Sequence, residues 1–379
     1  MWKTKTVILL IVLMLYATSM VGAVSIVATR GIVVARGREE PLFGHRVDLR
    51  HPPASLTKVL TVVLAIEQGD LDSEVIMSQR AMAVGGSSLN AAAGDRFTLR
   101  ELLYAAMLIS ANDACNAIAE HLAGNLEAFN EKMNRRAAEL NMRNSQFKNA
   151  HGMPGVGHYS TARDLALLGI HASSLPSFME IAGTERFVMN SGRVLLNQNR
   201  LLGEYRGALG GKTGYTDEAG QCLLLIAERD GLLLVSVVLG SEGRSLWSDS
   251  QALLDFGFAN FARQVLVNSR QALGLFRVPL AGEVLIVATS ELSRVIRISE
   301  LRKAVPEITL QLRRNLWPPL RPGQKVGEAV VTADGGEIGR VGLTVPAYIP
   351  LFTTGRLLAV FGGFLLMLGA IKGRRRWKG

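Results

Sequence analysis

The stretch PASLTKVLTVVLAIEQG, residues 53–69, decides the centre of the fold. Its apolar side chains point to almost every side of a helix, and Gly69 is a suitable helix stop. A helix that is apolar on all sides belongs in the middle of a domain. Only its first turn, which holds Ser55 and Lys58, is polar, and this indicates a functional site at that end.

A serine and a lysine three residues apart share one face of a helix, so their terminal atoms can meet. A serine hydroxyl is a poor nucleophile until a base takes its proton, and a lysine in a dry site can have a pKa low enough to be that base. By itself the spacing fits equally well an N-cap serine beside a solvated lysine.

A second polar motif lies between two predicted helices. Thr98 to Glu101 fits a capping box and predicts the start of one helix, and Gly124 marks the end of the next. The break between them is Ser110-Ala111-Asn112, which places a hydroxyl and an amide on a turn.

A third polar motif, Lys212-Thr213-Gly214, precedes a predicted hairpin. Two apolar runs, 222–227 and 232–239, are separated by a short connection that contains Asp230-Gly231. Because neither run alternates between apolar and polar residues, we expect both faces of the sheet to be covered.

The three motifs S-x-x-K, S-x-N and K-T-G follow one another as in penicillin-binding proteins and class A β-lactamases. With them, the chain resembles the D-alanyl-D-alanine carboxypeptidase family of low-molecular-mass penicillin-binding proteins. The similarity includes PASLTK at 53–58, HYSTARD at 158–164, KTGYT at 212–216, LLDFGF at 253–258 and PGQKVG at 322–327.

The resemblance implies an α+β fold. It would comprise a penicillin-binding protein/β-lactamase-like transpeptidase domain, with helices on an antiparallel sheet, followed by a small all-β domain. The predicted limits are a signal peptide at 1–23, the catalytic domain at 24–267, the β domain at 276–344 and a membrane anchor with a basic tail at 345–379.

The resemblance also assigns roles to residues. Ser55 would be the acylated nucleophile and Lys58 its proton acceptor, while Ser110 and Lys212 would deliver the proton to the leaving group. The backbone N–H groups of Ser55 and Tyr215 would form the oxyanion hole. The residues expected to bind substrate are Asn112, Lys212, Thr213, Gly214, Tyr215 and Arg244.

The implied activity is that of a serine-type D-Ala-D-Ala carboxypeptidase without a cofactor or a metal. Its partners would be peptidoglycan stem peptides ending in D-Ala-D-Ala, and β-lactams would be covalent inhibitors. The alternatives are a β-lactamase-like hydrolase and a catalytically idle, peptidoglycan-binding membrane protein. Ser110-Ala111-Asn112 departs from S-D-N, and no counterpart of a deacylating glutamate loop is evident.

The two ends of the chain carry most of its net positive charge. Of the net charge of +10, two charges lie at Lys3 and Lys5 and five lie after residue 371. A basic start, a short apolar core and Val21-Gly22-Ala23 are typical of a signal peptide. The apolar run 357–371 and its basic tail predict attachment to the membrane, spanning or peripheral, with the rest of the chain outside the cytoplasm. The remaining body has no basic run typical of nucleic-acid binding.

The cysteines and histidines give weaker predictions. Cys115 and Cys222 lie in apolar settings and are interpreted as buried thiols, with a disulfide as the alternative. His151 and His158 lack metal-ligand spacing, and His158 is predicted to be structural.

Overall fold

The computed structural model describes residues 24–301, 306–333 and 335–351. The predicted signal peptide and nearly all of the predicted anchor lie outside these residues. The described chain forms two compact units, divided between Ala262 and Arg263. The sequence places the change of character slightly later, around Asn268 to Gly274.

The strands of the first unit form a five-stranded antiparallel sheet and two short pairs. They are β1 Arg30–Ala35, β2 Phe43–His45, β3 Glu74–Ile76, β4 Arg96–Thr98, β5 Arg186–Val188, β6 Val194–Leu196, β7 Ala208–Thr216, β8 Gly220–Arg229 and β9 Leu232–Ser241. The main sheet has the order β2-β1-β9-β8-β7, while β3 pairs with β4 and β5 with β6.

The helices of this unit pack on the main sheet and on each other. They are α1 Thr57–Gln68, α2 Gln79–Met82, α3 Leu99–Leu108, α4 Asn112–Ala123, α5 Leu126–Glu139, α6 Ala162–Ala172, α7 Pro176–Gly183, α8 Leu201–Glu204 and α9 Ser245–Asn260. Every residue of α1 from Thr57 to Ala65 is buried. The prediction of a central helix is therefore confirmed.

The sheet is covered on both faces, as its apolar strands predicted. Gly169 on α6 lies against Val235 of β9, whereas Gly257 on α9 lies against Leu234, the residue just before Val235. Successive residues of a strand point to opposite faces, so α6 and α9 cover different sides of the sheet.

The polar turn between α3 and α4 is also present. Thr98 accepts a hydrogen bond from the Glu101 backbone, and the Glu101 carboxylate accepts one from the Thr98 backbone, so the predicted capping box is formed. Helix α4 ends at Gly124, which adopts a left-handed conformation with φ 78°.

The second unit consists mainly of β-strands. They are β10 Phe261–Val267, β11 Ala272–Val278, β12 Gly282–Ala288, β13 Leu292–Arg297, β14 Glu307–Leu312, β15 Lys325–Ala333 and β16 Gly336–Thr344. Strands β11-β12-β16-β15-β14 form a five-stranded sheet in that order, and β10 pairs with β13. The α+β fold with a β-rich second unit is as predicted.

Among the described residues, no single helix is both long and apolar enough to cross a membrane. The consecutive helices α6 and α7, bent by 108° at the break between them, meet the length and composition criteria only as a pair.

Candidate active site

Ser55 lies in a tight turn that leads into the central helix. A short 3₁₀ segment, Ala54–Leu56, precedes α1, so Ser55 stands just before the α-helix rather than within it. Ala54 has φ 46°, an unusual value for a residue with a side chain. The turn thus holds strained backbone next to the predicted nucleophile.

Two glycines allow other segments to approach this turn. A Cβ atom on Gly152 would lie 1.8 Å from the Ala54 carbonyl oxygen, and one on Gly214 would lie 3.0 Å from the Ser55 nitrogen. Gly214 belongs to β7, so this strand passes directly beside the Ser55 backbone N–H. The predicted oxyanion-hole donors, Ser55 and Tyr215, are therefore on neighbouring segments.

Lys58 is completely buried and contacts the Ser55 hydroxyl. Its Nζ lies 2.9 Å from Ser55 Oγ, 2.7 Å from Asn112 Oδ1 and 2.6 Å from the His151 carbonyl oxygen. The amide and carbonyl oxygens only accept hydrogen bonds. A neutral lysine amine that donates its two hydrogens to them therefore has its lone pair directed at Ser55 Oγ.

Burial favours this neutral form. Desolvation lowers the pKa of Lys58 to about 8, although the negative charge of Asp113 acts in the opposite direction. Lys58 can therefore exchange a proton near neutral pH, as a general base for Ser55 requires.

Lys212 is a second buried cation beside Lys58. It lies within β7, and its Nζ donates to the Thr213 carbonyl oxygen at 3.0 Å. Desolvation, and then repulsion from Lys58, lower the pKa of Lys212 to about 7. The sequence placed this motif before the hairpin, and the structure shows that the motif is itself a sheet strand.

Ser110 and Asn112 lie at the turn between α3 and α4. Ser110 is buried and has φ 61°, and Asn112 is the first residue of α4. The Asn112 amide oxygen accepts from Lys58, while its nitrogen donates to the Gly85 carbonyl oxygen at 2.6 Å. Because an amide nitrogen has two hydrogens, Asn112 can also donate to a substrate.

A cleft of about 510 Å³ opens above these buried groups. Among the predicted site residues, those that line it are Ser55, Ser110, Thr213, Gly214, Tyr215 and Arg244. Lys58, Lys212 and Asn112 are buried next to this surface. The structure thus gathers the predicted residues around one cleft.

The cleft also includes residues that the sequence analysis did not select. These are Ser87, Gln198, Gln221, Gly243, Leu246 and Trp247. The guanidinium of Arg200 lies 5.8 Å from the centre of the Trp247 ring. These residues come from loops, from strand β8 and from the start of helix α9, and they belong to no motif, so only their meeting in the fold identifies them.

The two histidines near Lys58, His151 and His158, form hydrogen bonds that hold the surrounding segments together. His158 Nε2 lies 3.0 Å from Thr57 Oγ1, and its Nδ1 accepts from the Lys148 backbone at 3.2 Å. Desolvation lowers the pKa of His158 to about 4 and that of His151 to about 3, so both rings are neutral at pH 7. These contacts fit the structural role predicted for His158.

The remaining candidate ligands do not assemble into a metal site. Within residues 24–301, 306–333 and 335–351, no group of three or more His, Cys, Asp or Glu side chains is arranged to hold a metal ion. Cys115 and Cys222 are both free and buried, which confirms their interpretation as buried thiols.

Fold and site together place the chain in the class of penicillin-binding protein folds. The family model for D-alanyl-D-alanine carboxypeptidase matches residues 17–243. The chain belongs to the D-alanyl-D-alanine carboxypeptidase family.

Individual relatives share most of their length with this chain. D-alanyl-D-alanine carboxypeptidase DacF of Bacillus subtilis is 31% identical over 324 residues, which cover 81% of this chain and 82% of the relative. DacC of Escherichia coli is 32% identical over 340 residues, which cover 85% and 84%. The structure of penicillin binding protein 5 from Haemophilus influenzae has a TM-score of 0.67 and 28% identity, covering 86% of this chain and 98% of that one.

Proposed function

We propose that this protein is a serine-type D-Ala-D-Ala carboxypeptidase that removes the terminal D-alanine from peptidoglycan stem peptides. The observation that carries the proposal is the 2.9 Å contact between Lys58 Nζ and Ser55 Oγ in a buried site. A nucleophile and its base are thereby in place for acyl transfer. The names of the relatives supply the substrate class.

In the first half of the reaction, Ser55 Oγ attacks the carbonyl carbon of the penultimate D-alanine, and Lys58 takes the hydroxyl proton. The N–H groups of Ser55 and Tyr215 stabilise the oxyanion. The C–N bond then breaks, and the D-alanine amine leaves with a proton delivered through Ser110 and Lys212. Water next hydrolyses the ester, which releases the shortened peptide and restores Ser55.

The other side chains of the cleft suit a substrate that ends in a carboxylate. Thr213 and Arg244 line the same cleft as Ser55, and Lys212 is buried beside it. A hydroxyl and cations are appropriate partners for a terminal carboxylate. We assign the binding of the terminal D-alanine to this group.

The cleft favours a carboxypeptidase over a β-lactamase. Among the described residues, those that line it include no aspartate or glutamate that could activate water for rapid deacylation. We therefore expect penicillin to acylate Ser55 and to remain bound. The intact Ser55–Lys58 contact in turn favours an enzyme over an idle binding protein.

The test is release of D-alanine from a soluble pentapeptide, together with labelling by fluorescent penicillin. The native chain should show both activities and Ser55→Ala neither, whereas Ser191→Ala, in the exposed turn between β5 and β6, should retain both. Release of D-alanine by Ser55→Ala would refute the proposal, and rapid turnover of penicillin would favour the β-lactamase alternative.

We also propose that the protein is exported and held at the cell membrane by its C-terminal segment. Support comes from the basic and apolar start of the chain and from the run LLAVFGGFLLMLGAI at 357–371, which is followed by basic residues. An anchored chain should stay with membranes in high salt and be released by detergent. Release by salt alone would contradict anchoring.

A further inference from the structure

The second unit exposes three large apolar or aromatic side chains that do not belong to its hydrophobic core. Trp317 is 58% exposed, Tyr348 is 56% exposed and Leu351 is 40% exposed. In the same segments Leu316, Leu320 and Val345 are buried in the core of the unit. The exposed residues are therefore not a sign of poor packing, because their neighbours fill the interior.

Backbone pairing brings these exposed residues to one place. The Leu320 N–H donates to the Ile349 carbonyl oxygen and the Ile349 N–H donates to the Leu320 carbonyl oxygen, both at 2.9 Å. This antiparallel bridge places Trp317 and Leu351 on adjoining segments. Tyr348 directly precedes the bridged Ile349, so all three exposed residues lie on the two segments that this bridge joins.

Positive charge flanks Trp317 along the chain. Arg313, Arg314 and Arg321 are exposed and lie within four residues of Trp317 along the chain. Within the described residues, none of the three forms an ion pair with a carboxylate. We define the Trp317 face by the residues Arg313, Arg314, Trp317, Arg321, Tyr348 and Leu351.

The position of this face in the chain limits its distance from the membrane. Residues 352–356 separate Leu351 from the apolar run 357–371. A chain extends at most about 3.3–3.6 Å per residue, so Leu351 lies no more than roughly 20 Å from the start of that run. If the run enters the bilayer, the Trp317 face must lie near the lipid headgroups.

We propose that the Trp317 face docks on a bilayer surface that contains anionic phospholipids. Tryptophan and tyrosine favour the boundary between headgroups and acyl chains, and arginines attract anionic headgroups. The inference rests on the anchor proposed above and adds to it a second, folded contact with the membrane. It is independent of the reaction at Ser55.

The test is a measurement of Trp317 fluorescence in the full chain bound to vesicles. The vesicles contain phosphatidylglycerol and phosphatidylcholine, with or without lipids brominated near the headgroup. Subtracting the emission of Trp317→Phe from that of the native chain isolates Trp317. Subtracting the emission of Trp247→Phe from that of the native chain isolates Trp247, a matched tryptophan that lines the cleft of the first unit.

We expect brominated lipid to reduce the Trp317 emission by about twofold and to leave the Trp247 emission unchanged. Replacing all three arginines by glutamine, or raising the salt, should weaken the quenching. Penicillin labelling of Trp317→Phe should match that of the native chain, which shows that the first unit folds, and an unchanged thermal unfolding curve shows the same for the second unit.

Three results would overturn the proposal. Co-flotation of the chain with vesicles while Trp317 stays unquenched would leave the anchor intact and reject the face. Acrylamide in the water quenches exposed tryptophans. If Trp317 is protected from acrylamide in the absence of lipid, and this protection increases with protein concentration, the face binds a second copy of the chain instead. Equal quenching in vesicles of phosphatidylcholine alone would reject the requirement for anionic lipid.

Discussion

At the scale of single residues, Lys58 and Lys212 set the chemistry of the site. Both are buried, and in the described part of the chain no carboxylate forms an ion pair with either of them. Burying a charge without an ion pair is costly, so burial lowers the pKa of both lysines and brings their neutral forms within reach near neutral pH. A neutral amine at Lys58 is the form that can accept the Ser55 proton.

The first prediction concerns the pH dependence of acylation. Because Lys58 must be neutral and its pKa is about 8, the rate of labelling by fluorescent penicillin should rise with pH and level off above pH 8. The rate is measured by stopping the labelling reaction at several times at each of a series of pH values. Lys58→Arg, which cannot become neutral, should show no labelling. A flat profile for the native chain would contradict the role of Lys58.

The second prediction concerns the free energy of unfolding. The pKa of Lys212 is about 7 in the folded chain against an ordinary value of 10.5. The destabilisation is therefore full below pH 7 and disappears as the pH rises toward 10.5. Lys212→Met should stabilise the protein by roughly 1–3 kcal/mol at pH 6, less at pH 9, and abolish D-alanine release.

Thermal unfolding at the two pH values tests this prediction. Lys132→Met is the matched control, because Lys132 lies on the surface and donates to Gln68. That variant should show no gain that depends on pH. If Lys212→Met is less stable than the native chain at pH 6, the hydrogen bond from Lys212 to the Thr213 carbonyl oxygen outweighs the cost of burying the lysine charge.

The residues of the site differ in how far sequence can identify them. Ser55, Lys58, Ser110 and Lys212 belong to motifs, so their types and spacing point to them. The His151 carbonyl oxygen, which binds Lys58 at 2.6 Å, has no such signature, because every residue has a carbonyl group. Its contribution depends on the path of the backbone, which only the fold determines.

At the scale of elements, helix α4 holds a loop against the cleft. The Asp113 carboxylate accepts from Ser88 Oγ at 2.6 Å and from the Leu89 backbone at 2.9 Å. The Asn112 backbone donates to the Ser87 carbonyl oxygen at 2.8 Å, and Ser87 lines the cleft. The start of α4 therefore fixes both Lys58 and one wall of the cleft.

The third prediction separates the two effects of Asp113. Asp113→Ala should free the loop and lower the acylation rate, because the Leu89 N–H loses its buried partner at a cost of about 1–3 kcal/mol. Asp113→Asn can still accept from the Leu89 N–H with its oxygen and can donate to Ser88 Oγ with its nitrogen, so it removes the charge and keeps the loop attached. Since that charge raises the pKa of Lys58, the pH profile of Asp113→Asn should move to lower pH. An unmoved profile would show that the charge of Asp113 does not reach Lys58.

The fourth prediction concerns the close approach of loop 152–158 to Ser55. Gly152→Ala would place a Cβ atom 1.8 Å from the Ala54 carbonyl oxygen at a residue with φ 92°. The Ser55 turn must then shift, and acylation should fall by about 100-fold. In the same loop, the nearest atom to a Cβ on Gly155 is His158 Cβ at 3.9 Å, so Gly155→Ala should retain activity. Comparable losses in both variants would contradict this explanation.

Elements were predictable where the local pattern and the tertiary packing agree. The α3 capping box and the apolar β8–β9 hairpin are formed as predicted, because their own residues favour these structures. Strand β7 was not foreseen, since three of its nine residues are glycines, which have low strand propensity. Close packing explains it: a Cβ on Gly211 would lie 2.2 Å from the Leu224 carbonyl oxygen.

At the scale of the whole molecule, the division into two units falls between Ala262 and Arg263, inside β10. Helix α9 ends at Asn260 and β10 begins at Phe261, so the chain passes from helix to strand without a glycine or proline at the boundary. Sequence punctuation therefore gives no sign of the division there and appears only near Gly274. The uneven net charge of the chain was easier to interpret, because seven of the ten net positive charges lie in the two terminal segments.

The fifth prediction tests the orientation of the chain across the membrane. Cys115 and Cys222 are buried, so the native thiols should give a low background with a membrane-impermeant maleimide. Val156 is fully exposed in the catalytic unit, and Val156→Cys should be labelled in intact cells. Lys378→Cys, in the basic tail, should be labelled only after permeabilisation if the chain spans the membrane, because basic segments stay in the cytoplasm. Labelling of both variants in intact cells would indicate a peripheral tail, and labelling of Val156→Cys only after permeabilisation would refute export.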